Sequence, residues 1–194
     1  MTLEQVLSEF RKSGALLEGH FILTSGLHSD RYLQKSLVFT NAKATTKLIK
    51  ALAQKVREEV KVPYTAIIST AIGGIVPGYE MGRQLNLPAY FVERVDGEFQ
   101  LRRNFTLTKN QPVLIVDDIV STGTSIKECI VAVKKAGGKP IAVAALVDRT
   151  GGKIKVGIPF ISLAEWKVPA WEANKLPPHL KDIPAVKPGS RGLA

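Results

Sequence analysis

The chain has 194 residues, of which 45% are hydrophobic and 23% charged, so it can bury a core of its own and is not disordered. It carries 27 Lys and Arg residues against 17 Asp and Glu residues, a net charge of +10, and its single cysteine excludes an internal disulfide. No stretch approaches the ~20 apolar residues of a membrane span, and the first residues contain no secretory or transit signal. We therefore expect a cytoplasmic protein without a membrane partner.

The positive charge is spread along the chain instead of being gathered in dense Lys/Arg runs, and only 7% of residues are aromatic. Nucleic-acid binding uses basic patches and aromatic platforms, so this distribution argues against a nucleic-acid partner. A small, strongly anionic ligand such as a phosphate ester makes better use of the charge.

The first two predicted elements are helices. Residues 2–5 form a capping box, apolar residues then recur at helical spacing, and Gly14 ends this helix. Residues 41–60 carry apolar side chains at four-residue spacing, with Lys and Glu on the other face. This spacing predicts a long amphipathic helix.

Short apolar runs and helices alternate after the second helix. The predicted strands are 65–68, 89–92, 112–116, 141–147 and 160–163. Helices are predicted through Asn86 and over 125–136. Because the strands are continuously apolar, they predict a mostly parallel sheet covered by helices on both faces, the α/β class. Polar residues 94–109 predict a hairpin or mobile flap, and the Pro-rich tail from Trp166 onward predicts an extended arm.

The most informative stretch is 113–125. An apolar strand here brings Asp117 and Asp118 to its carboxyl end, where open α/β sheets bind their ligands. A loop rich in Ser, Thr and Gly follows, and a helix begins at once, so free N–H groups and the positive end of the helix dipole favour a phosphate. The acids suit sugar hydroxyls instead. A ribose 5-phosphate fits both parts of this stretch, with its phosphate in the hydroxyl loop and its sugar hydroxyls on the acids.

Other proteins also end a strand in paired acids, among them response-regulator receivers and Walker-B-like sites. The chain lacks the Gly-x-x-x-x-Gly-Lys-[Ser/Thr] loop of nucleotide triphosphatases, and a receiver would carry its acids near the amino terminus. The hydroxyl loop taken alone could be no more than a capped turn. The whole thirteen-residue pattern is more specific than either part.

Residues 113–125 resemble the phosphoribosyl pyrophosphate (PRPP) motif of type I phosphoribosyltransferases. The resemblance implies that fold, with a central, mostly parallel sheet flanked by helices, a small amino-terminal hood and a flexible flap. The implied PRPP-binding residues of the motif are Asp117, Asp118, Ile119, Val120, Ser121, Thr122, Gly123, Thr124 and Ser125. The acids would contact the ribose hydroxyls and the loop the 5-phosphate. Magnesium is the expected cofactor, held mainly by PRPP oxygens without a protein metal site.

Other segments resemble orotate phosphoribosyltransferases in particular. They are residues 19–32, 91–94, 101–105, 147–149 and 187–192. This resemblance implies transfer of the phosphoribosyl group from PRPP to N1 of orotate, giving orotidine 5-monophosphate and pyrophosphate in pyrimidine synthesis. It also implies one domain over 1–194, with a hood formed by about 1–40 and the carboxy-terminal segment. The implied partner is a second copy, whose site the flap would reach.

Orotate is a planar pyrimidine with a carboxylate, so its pocket needs a fixed cation. The resemblance places that carboxylate at Arg149, just beyond a predicted strand. The implied orotate-binding residues are Arg149, Ser121, Tyr32, Leu33 and Thr24. An ion pair with Asp148 is the alternative for Arg149. His20 and His28 are interpreted as structural hydrogen bonders.

Residues 69–74 resemble the family's pyrophosphate loop, although a plain strand-to-helix turn is the alternative. Further PRPP-binding candidates are Thr70, Ala71, Ile72, Gly73 and Arg94. The catalytic candidates are Asp117, Asp118, Arg102 and Arg103. Enteric-type relatives carry lysine in place of Thr24, a Tyr-Lys pair in place of residues 72–73, and a flap rich in lysine. The flap of this chain keeps a positive charge, which Arg94, Arg102, Arg103 and Lys109 carry.

Two other functions stay open at this point. One is transfer to another base, adenine or xanthine, by the same type of enzyme. The other is a catalytically silent PRPP-binding regulator, which would need a DNA-reading module. The residues before Gly19 supply only one predicted helix, so the regulator is the less favoured hypothesis.

Overall fold

A six-stranded sheet forms the centre of the structure, a computed structural model that describes residues 1–23 and 25–188. The strands of the chain are β1 (Leu16–Ile22), β2 (His28–Leu33), β3 (Ala66–Thr70), β4 (Ala89–Val95), β5 (Glu98–Leu101), β6 (Gln111–Val120), β7 (Gly138–Asp148) and β8 (Phe160–Glu165). The α-helices are α1 (Leu3–Lys12), α2 (Ala42–Glu59), α3 (Ile75–Leu85), α4 (Thr124–Lys135) and α5 (Pro178–Lys181). Short 3₁₀ helices cover Lys35–Thr40 and Ala173–Lys175.

The strand order of the central sheet is β5-β4-β3-β6-β7-β8. Every neighbouring pair is parallel except β4 and β5, which form an antiparallel hairpin. The carboxyl ends of β3 and β6 therefore lie side by side at one edge of the sheet. This topology confirms the predicted α/β class and the predicted hairpin at the start of the flap.

Helices cover both faces of the sheet, as the continuously apolar strands predicted. Alternate residues of β6 point to opposite faces: Leu114 packs in a core with α1, α2 and α3, and Ile115 packs in a second core with α4. The predicted capping box is confirmed, because the Thr2 and Gln5 side chains each bond to the backbone of the other residue. At the start of α2, the Asn41 side chain accepts a hydrogen bond from the Ala44 amide, a cap that was not predicted. No helix in the described part of the chain could cross a membrane.

β1 and β2 form an antiparallel sheet of their own, which the sequence did not predict. The carboxy-terminal tail lies along this pair, with Val186 bridged to Phe21 and Trp171 to His28. The tail is extended apart from its short helical turns, in line with the predicted arm. We predicted a single domain completed by a hood of about residues 1–40 and the carboxy-terminal segment. This stays a prediction.

β6 is longer than predicted. We predicted that the strand ends before the acids, but it continues to Val120, so Asp117 and Asp118 lie inside it. The cause is the neighbouring strand: β7 continues to Asp148 and pairs with Ile119 and Val120. Both carboxylates are consequently fixed by a regular strand backbone instead of a loop.

Candidate active site

Two cavities open at the carboxyl ends of β3 and β6. The first, of about 360 Å³, is lined by Lys35, Thr70, Ala71, Ile72, Gly73, Arg94, Phe99, Asp117, Ile119, Val120, Ser121, Thr122, Gly123, Thr124, Ser125 and Ile126. The second, of about 830 Å³, is lined by Leu23, Ser25, Tyr32, Leu33, Gln34, Lys35, Ser36, Phe39, Ile72, Gly73, Val76, Asp118, Ile119, Ser121, Thr122 and Arg149. The cavities share part of their walls, so ligands in them would be neighbours.

The two acids of β6 are buried and differently held. Asp117 Oδ1 accepts a hydrogen bond from the Thr70 hydroxyl at 2.8 Å and from the Asp118 amide at 2.9 Å. Asp118 Oδ1 accepts from Lys35 Nζ at 2.9 Å and from the Ile119 amide at 2.5 Å. Asp117 lines the first cavity and Asp118 the second. The pair therefore stands at the boundary between the two cavities.

The charge on Asp117 is disfavoured by its surroundings. Burial, and then the neighbouring charge of Asp118, raise its pKa from 3.8 to about 7, against the opposing hydrogen bond from Thr70 and the charge of Lys35. Since the two carboxylates are coupled, the proton belongs to the pair as a whole. Near neutral pH the pair is poised to gain or lose one proton.

This raised pKa predicts a pH-dependent stability. Between pH 3.8 and about 7 the folded chain keeps a proton on Asp117 that the unfolded chain has lost, so stability falls as the pH rises through this window. We expect Asp117→Asn to raise the melting temperature at pH 8 by roughly 3–6 °C and to leave it nearly unchanged at pH 4. Melting curves of both proteins across this range check the prediction. A difference that does not grow with pH would contradict it.

The hydroxyl loop after β6 contributes exposed Ser and Thr side chains to the first cavity. Thr122 and Thr124 face each other with 3.1 Å between their hydroxyl oxygens. Gly123 has a φ of +79°, and a Cβ there would lie 2.8 Å from Ile154, so a side chain at this position would be both strained and crowded. Gly123 caps α4 without a side chain of its own to bond the helix amides, and the Thr124 amide makes only a long 3.4 Å contact to the Thr122 hydroxyl, so this helix start can face an anion.

Arg149 supplies a cation to the second cavity. Burial lowers the pKa of its guanidinium, which still stays charged at neutral pH. No carboxylate in 1–23 or 25–188 forms an ion pair with it. An ion pair between Arg149 and Asp148, the alternative, is not formed. The Asp148 carboxylate instead accepts hydrogen bonds from the backbone amides of Thr150 and Gly152, at 2.7 and 3.0 Å.

The β3–α3 loop, residues 71–74, packs closely on the acids. A Cβ on Gly73 would lie 2.3 Å from Asp118 Oδ2, and one on Gly74 would lie 2.7 Å from the Thr70 carbonyl oxygen. Glycine at these two positions therefore allows the loop backbone to lie this close to Asp118 and Thr70. Ile72 and Gly73 line both cavities, so this part of the predicted pyrophosphate loop is brought to the acids.

The flap arginines occupy different places. Arg94 lines the first cavity, forms an ion pair with Glu128 and lies over the Phe99 ring, 4.3 Å from its centroid. Arg102 and Arg103 both face Glu93, at 3.9 and 2.8 Å, and line neither cavity. Their catalytic role stays a prediction. Thr24 and residues 189–194 lie outside the described residues.

The two histidines of the first hairpin lie away from both cavities. His20 Nε2 is 2.6 Å from His28 Nδ1, and His20 Nδ1 is 2.7 Å from the Ile183 carbonyl oxygen. Because a carbonyl oxygen only accepts, His20 donates from Nδ1 to the tail. The pair holds the tail to the hairpin, which agrees with the structural interpretation of both residues.

Comparison with known proteins identifies the family. The model of the phosphoribosyl transferase domain matches residues 38–177. The orotate phosphoribosyltransferase of Maricaulis maris is 60% identical over 194 residues, and that of Parvibaculum lavamentivorans 57%, each covering 100% of both chains. The chain belongs to the orotate phosphoribosyltransferase family.

Solved structures of low identity share the fold. The orotate phosphoribosyltransferase of Aeropyrum pernix superimposes with a TM-score of 0.72 at 24% identity, covering 84% of this chain and 94% of that one. An adenine phosphoribosyltransferase from Thermoanaerobacter pseudethanolicus gives 0.59 at 20% identity, covering 70% and 88%. Enzymes named for different bases therefore share this fold. The predicted type I phosphoribosyltransferase fold is confirmed.

Sequence reasoning missed Lys35. It begins the 3₁₀ helix after β2 and lines both cavities, with its Nζ 2.9 Å from Asp118. It was not singled out because 83 residues separate it from its partner. Its position two residues beyond Leu33, which with Tyr32 was a predicted site residue, is the one signal the sequence offered.

Proposed function

We propose that this chain transfers the 5-phosphoribosyl group of PRPP to N1 of orotate, giving orotidine 5-monophosphate and pyrophosphate in pyrimidine synthesis. The observation that carries the proposal is the pairing of two adjoining cavities. One has acids and a hydroxyl loop, and the other has an arginine whose nearest acidic neighbour in sequence is already occupied. The identity of 60% to a relative named orotate phosphoribosyltransferase supports the same substrate.

The first cavity suits the sugar phosphate. The loop 121–125 offers hydroxyls and the amides at the start of α4, which favour a phosphate monoester. Asp117 and Asp118 lie at its edge and are acceptors for two neighbouring hydroxyls of a ribose. A ribose held this way points its anomeric carbon toward the boundary with the second cavity.

The second cavity suits the base. Arg149 is a planar donor that matches a carboxylate in two-point geometry. Tyr32, Leu33 and Ile119 supply flat or apolar surface around it. A pyrimidine carboxylate bound at Arg149 leaves its ring directed toward the acids of β6.

In the reaction, the anomeric carbon loses its bond to the diphosphate oxygen, which leaves with the electron pair, and gains a bond to orotate N1. Orotate N1 gives up its N–H proton as this bond forms, and the departing diphosphate is a base that can take it. Positive charge develops on the ribose ring as the old bond breaks. The carboxylates of Asp117 and Asp118 stabilise this charge, and the walls of the two cavities hold both reactants in line. The residues supply position and charge instead of a covalent intermediate.

Magnesium is proposed as the cofactor, and it would arrive on PRPP. No cluster of three or more His, Cys, Asp or Glu side chains that could hold a metal occurs among the described residues. The first cavity instead offers hydroxyls and backbone amides, which are donors that suit the phosphate oxygens by which the metal would be held. When bound on PRPP, the metal would supply positive charge to the diphosphate oxygens.

The decisive experiment is an assay of base preference. The purified protein is incubated with PRPP and magnesium, and with orotate, adenine or xanthine in turn. We expect loss of orotate absorbance, formation of pyrophosphate and no turnover of either purine. Turnover of a purine, or DNA binding at moderate salt without turnover of any base, would contradict the proposal.

We also propose a homodimer with the flap shared across the interface. Ile72, Val76 and Tyr79 form an exposed apolar stripe on the β3–α3 loop and α3, and Ile72 is 86% exposed. The stripe adjoins the cavities, and an unpaired apolar surface beside a binding site is typical of a protein interface. The placement of Arg102 and Arg103 outside both cavities fits a role in the second copy's site.

Charge introduced into this stripe tests the dimer. We expect Tyr79→Asp with Val76→Asp to halve the mass in solution, because a buried unpaired carboxylate disfavours association. Since Val76 also lines the second cavity, kcat is measured on Tyr79→Asp alone, where it should fall by at least about tenfold. Val131→Asp on α4, at a residue that is 50% exposed, is the matched control. Sedimentation and steady-state assays measure both effects. A double variant with unchanged mass would contradict the proposed interface.

A further inference from the structure

We propose that Lys35 is a positioning residue of the PRPP site, which holds the Asp118 carboxylate against the β3–α3 loop and adds positive charge where the two cavities meet. This inference rests on the proposed function, because it assigns Lys35 to a site for PRPP. It concerns a residue that comes from outside the strand-to-helix motif.

The geometry of the ion pair is the first support. Lys35 Nζ lies 2.9 Å from Oδ1 and 2.9 Å from Oδ2 of Asp118. The Asp118 side chain is 1% exposed, whereas that of Lys35 is 47% exposed. The lysine therefore reaches a buried carboxylate from the solvent side, where an entering ligand would meet it first.

The β3–α3 loop is the second support. A Cβ on Gly73 would lie 2.3 Å from Asp118 Oδ2 and 3.2 Å from Lys35 Nζ, so the loop backbone rests directly on the ion pair. Residues from three separate parts of the chain meet here: the segment after β2, the loop after β3, and β6. Lys35 contributes an ion pair with Asp118 of β6 and lies against the loop backbone at Gly73.

The distribution of charge is the third support. PRPP carries a phosphate and a diphosphate, so its site needs several cations. Within the described residues, the first cavity is lined by the cations Lys35 and Arg94, and the second by Lys35 and Arg149. Lys35 is the cation common to both linings. Arg94 is engaged by Glu128, so Lys35 is the cation placed beside the acids.

Lys35 also acts on the acid pair itself. Its charge lowers the pKa of Asp117, against the effects of burial and of Asp118. The other titratable group that faces Asp117 is the Cys129 thiol from α4, whose pKa is raised by burial and by the Asp117 charge. Removing the lysine charge therefore raises the pKa of the acid pair, so that the pair loses its proton at a higher pH.

The test compares Lys35→Met and Lys35→Arg with the wild-type protein, and Lys50→Met, at an exposed position of α2, is the control. Calorimetry measures binding of PRPP with magnesium, and steady-state assays measure both KM values, kcat and the pH profile. We expect Lys35→Met to weaken PRPP binding by about tenfold, because methionine can neither fix the Asp118 carboxylate nor donate a charge-assisted hydrogen bond to a PRPP oxygen. The orotate KM should change by less than about threefold, and the acid limb of the pH profile should move to higher pH.

Lys35→Arg should restore most of the PRPP affinity, since it keeps the charge. PRPP binding at wild-type strength in Lys35→Met would overturn the role of Lys35, and so would equal weakening for both substrates with a lower melting temperature. A wild-type protein that binds PRPP but does not convert orotate contradicts the proposed function alone. In that case the calorimetric comparison still decides the role of Lys35.

Discussion

Replacing both Asp117 and Asp118 with asparagine is expected to slow turnover by at least ~100-fold while the protein stays folded. The variant keeps the size of each side chain but removes both negative charges from the site of the developing ribosyl cation. The Thr70 hydroxyl and the Asp118 amide can still donate to the amide oxygen at position 117. The loss therefore falls on the chemical step and not on the fold.

Measurements of kcat and of the melting temperature separate these effects. The fold should be at least as stable as that of the wild type near pH 8, because two buried acids no longer repel each other. Asp182→Asn, at an exposed position, is the control. Near-normal turnover in the double variant would remove the acids from the mechanism.

Replacing Arg149 with methionine is expected to raise the KM for orotate by at least about 30-fold, with little change in PRPP binding. The guanidinium is the cation placed in the second cavity away from the acids, and the Asp148 carboxylate beside it is occupied by backbone amides. Methionine keeps the length of the side chain but cannot donate to a carboxylate.

Two further variants sharpen this result. Arg149→Lys should recover only part of the affinity, because an ammonium cannot form the two parallel hydrogen bonds of a guanidinium. Arg11→Met removes an exposed arginine that pairs with Glu4 on α1, and it should leave both KM values unchanged. An Arg149→Met protein with a normal orotate KM would place the carboxylate elsewhere.

Much of the central fold was predictable because its signals are local. The capping box of α1 and the helical spacing of α2 lie within their own sequences, and the predicted strands of the sheet are continuous apolar runs. The end of β6 was not predictable, because Ile119 and Val120 stay in the strand through pairing with β7. A strand's length is set partly by its neighbour, which the strand's own residues do not reveal.

The first hairpin was missed for a related reason. β1 and β2 contain charged and polar residues without clear alternation, and the tail supports them through the Ile22 amide and the Val186 carbonyl at 2.9 Å. Contacts between residues so far apart leave no mark in the spacing of either segment. The same holds for Lys35 and Asp118, whereas the acids and the hydroxyl loop, which adjoin in sequence, were predicted as one unit.

The space above Gly73 has an evolutionary consequence. With the lysine at position 35 and the carboxylate at 118 lying against the loop backbone, no substituent larger than hydrogen fits there. A side chain at position 73 requires the Asp118 carboxylate, whose oxygen would lie 2.3 Å away, to move. Loss of the lysine at position 35 would remove the second close contact, at 3.2 Å, and the ion pair that fixes this carboxylate. Positions 35 and 73 are therefore expected to vary together in a broad set of homologous sequences.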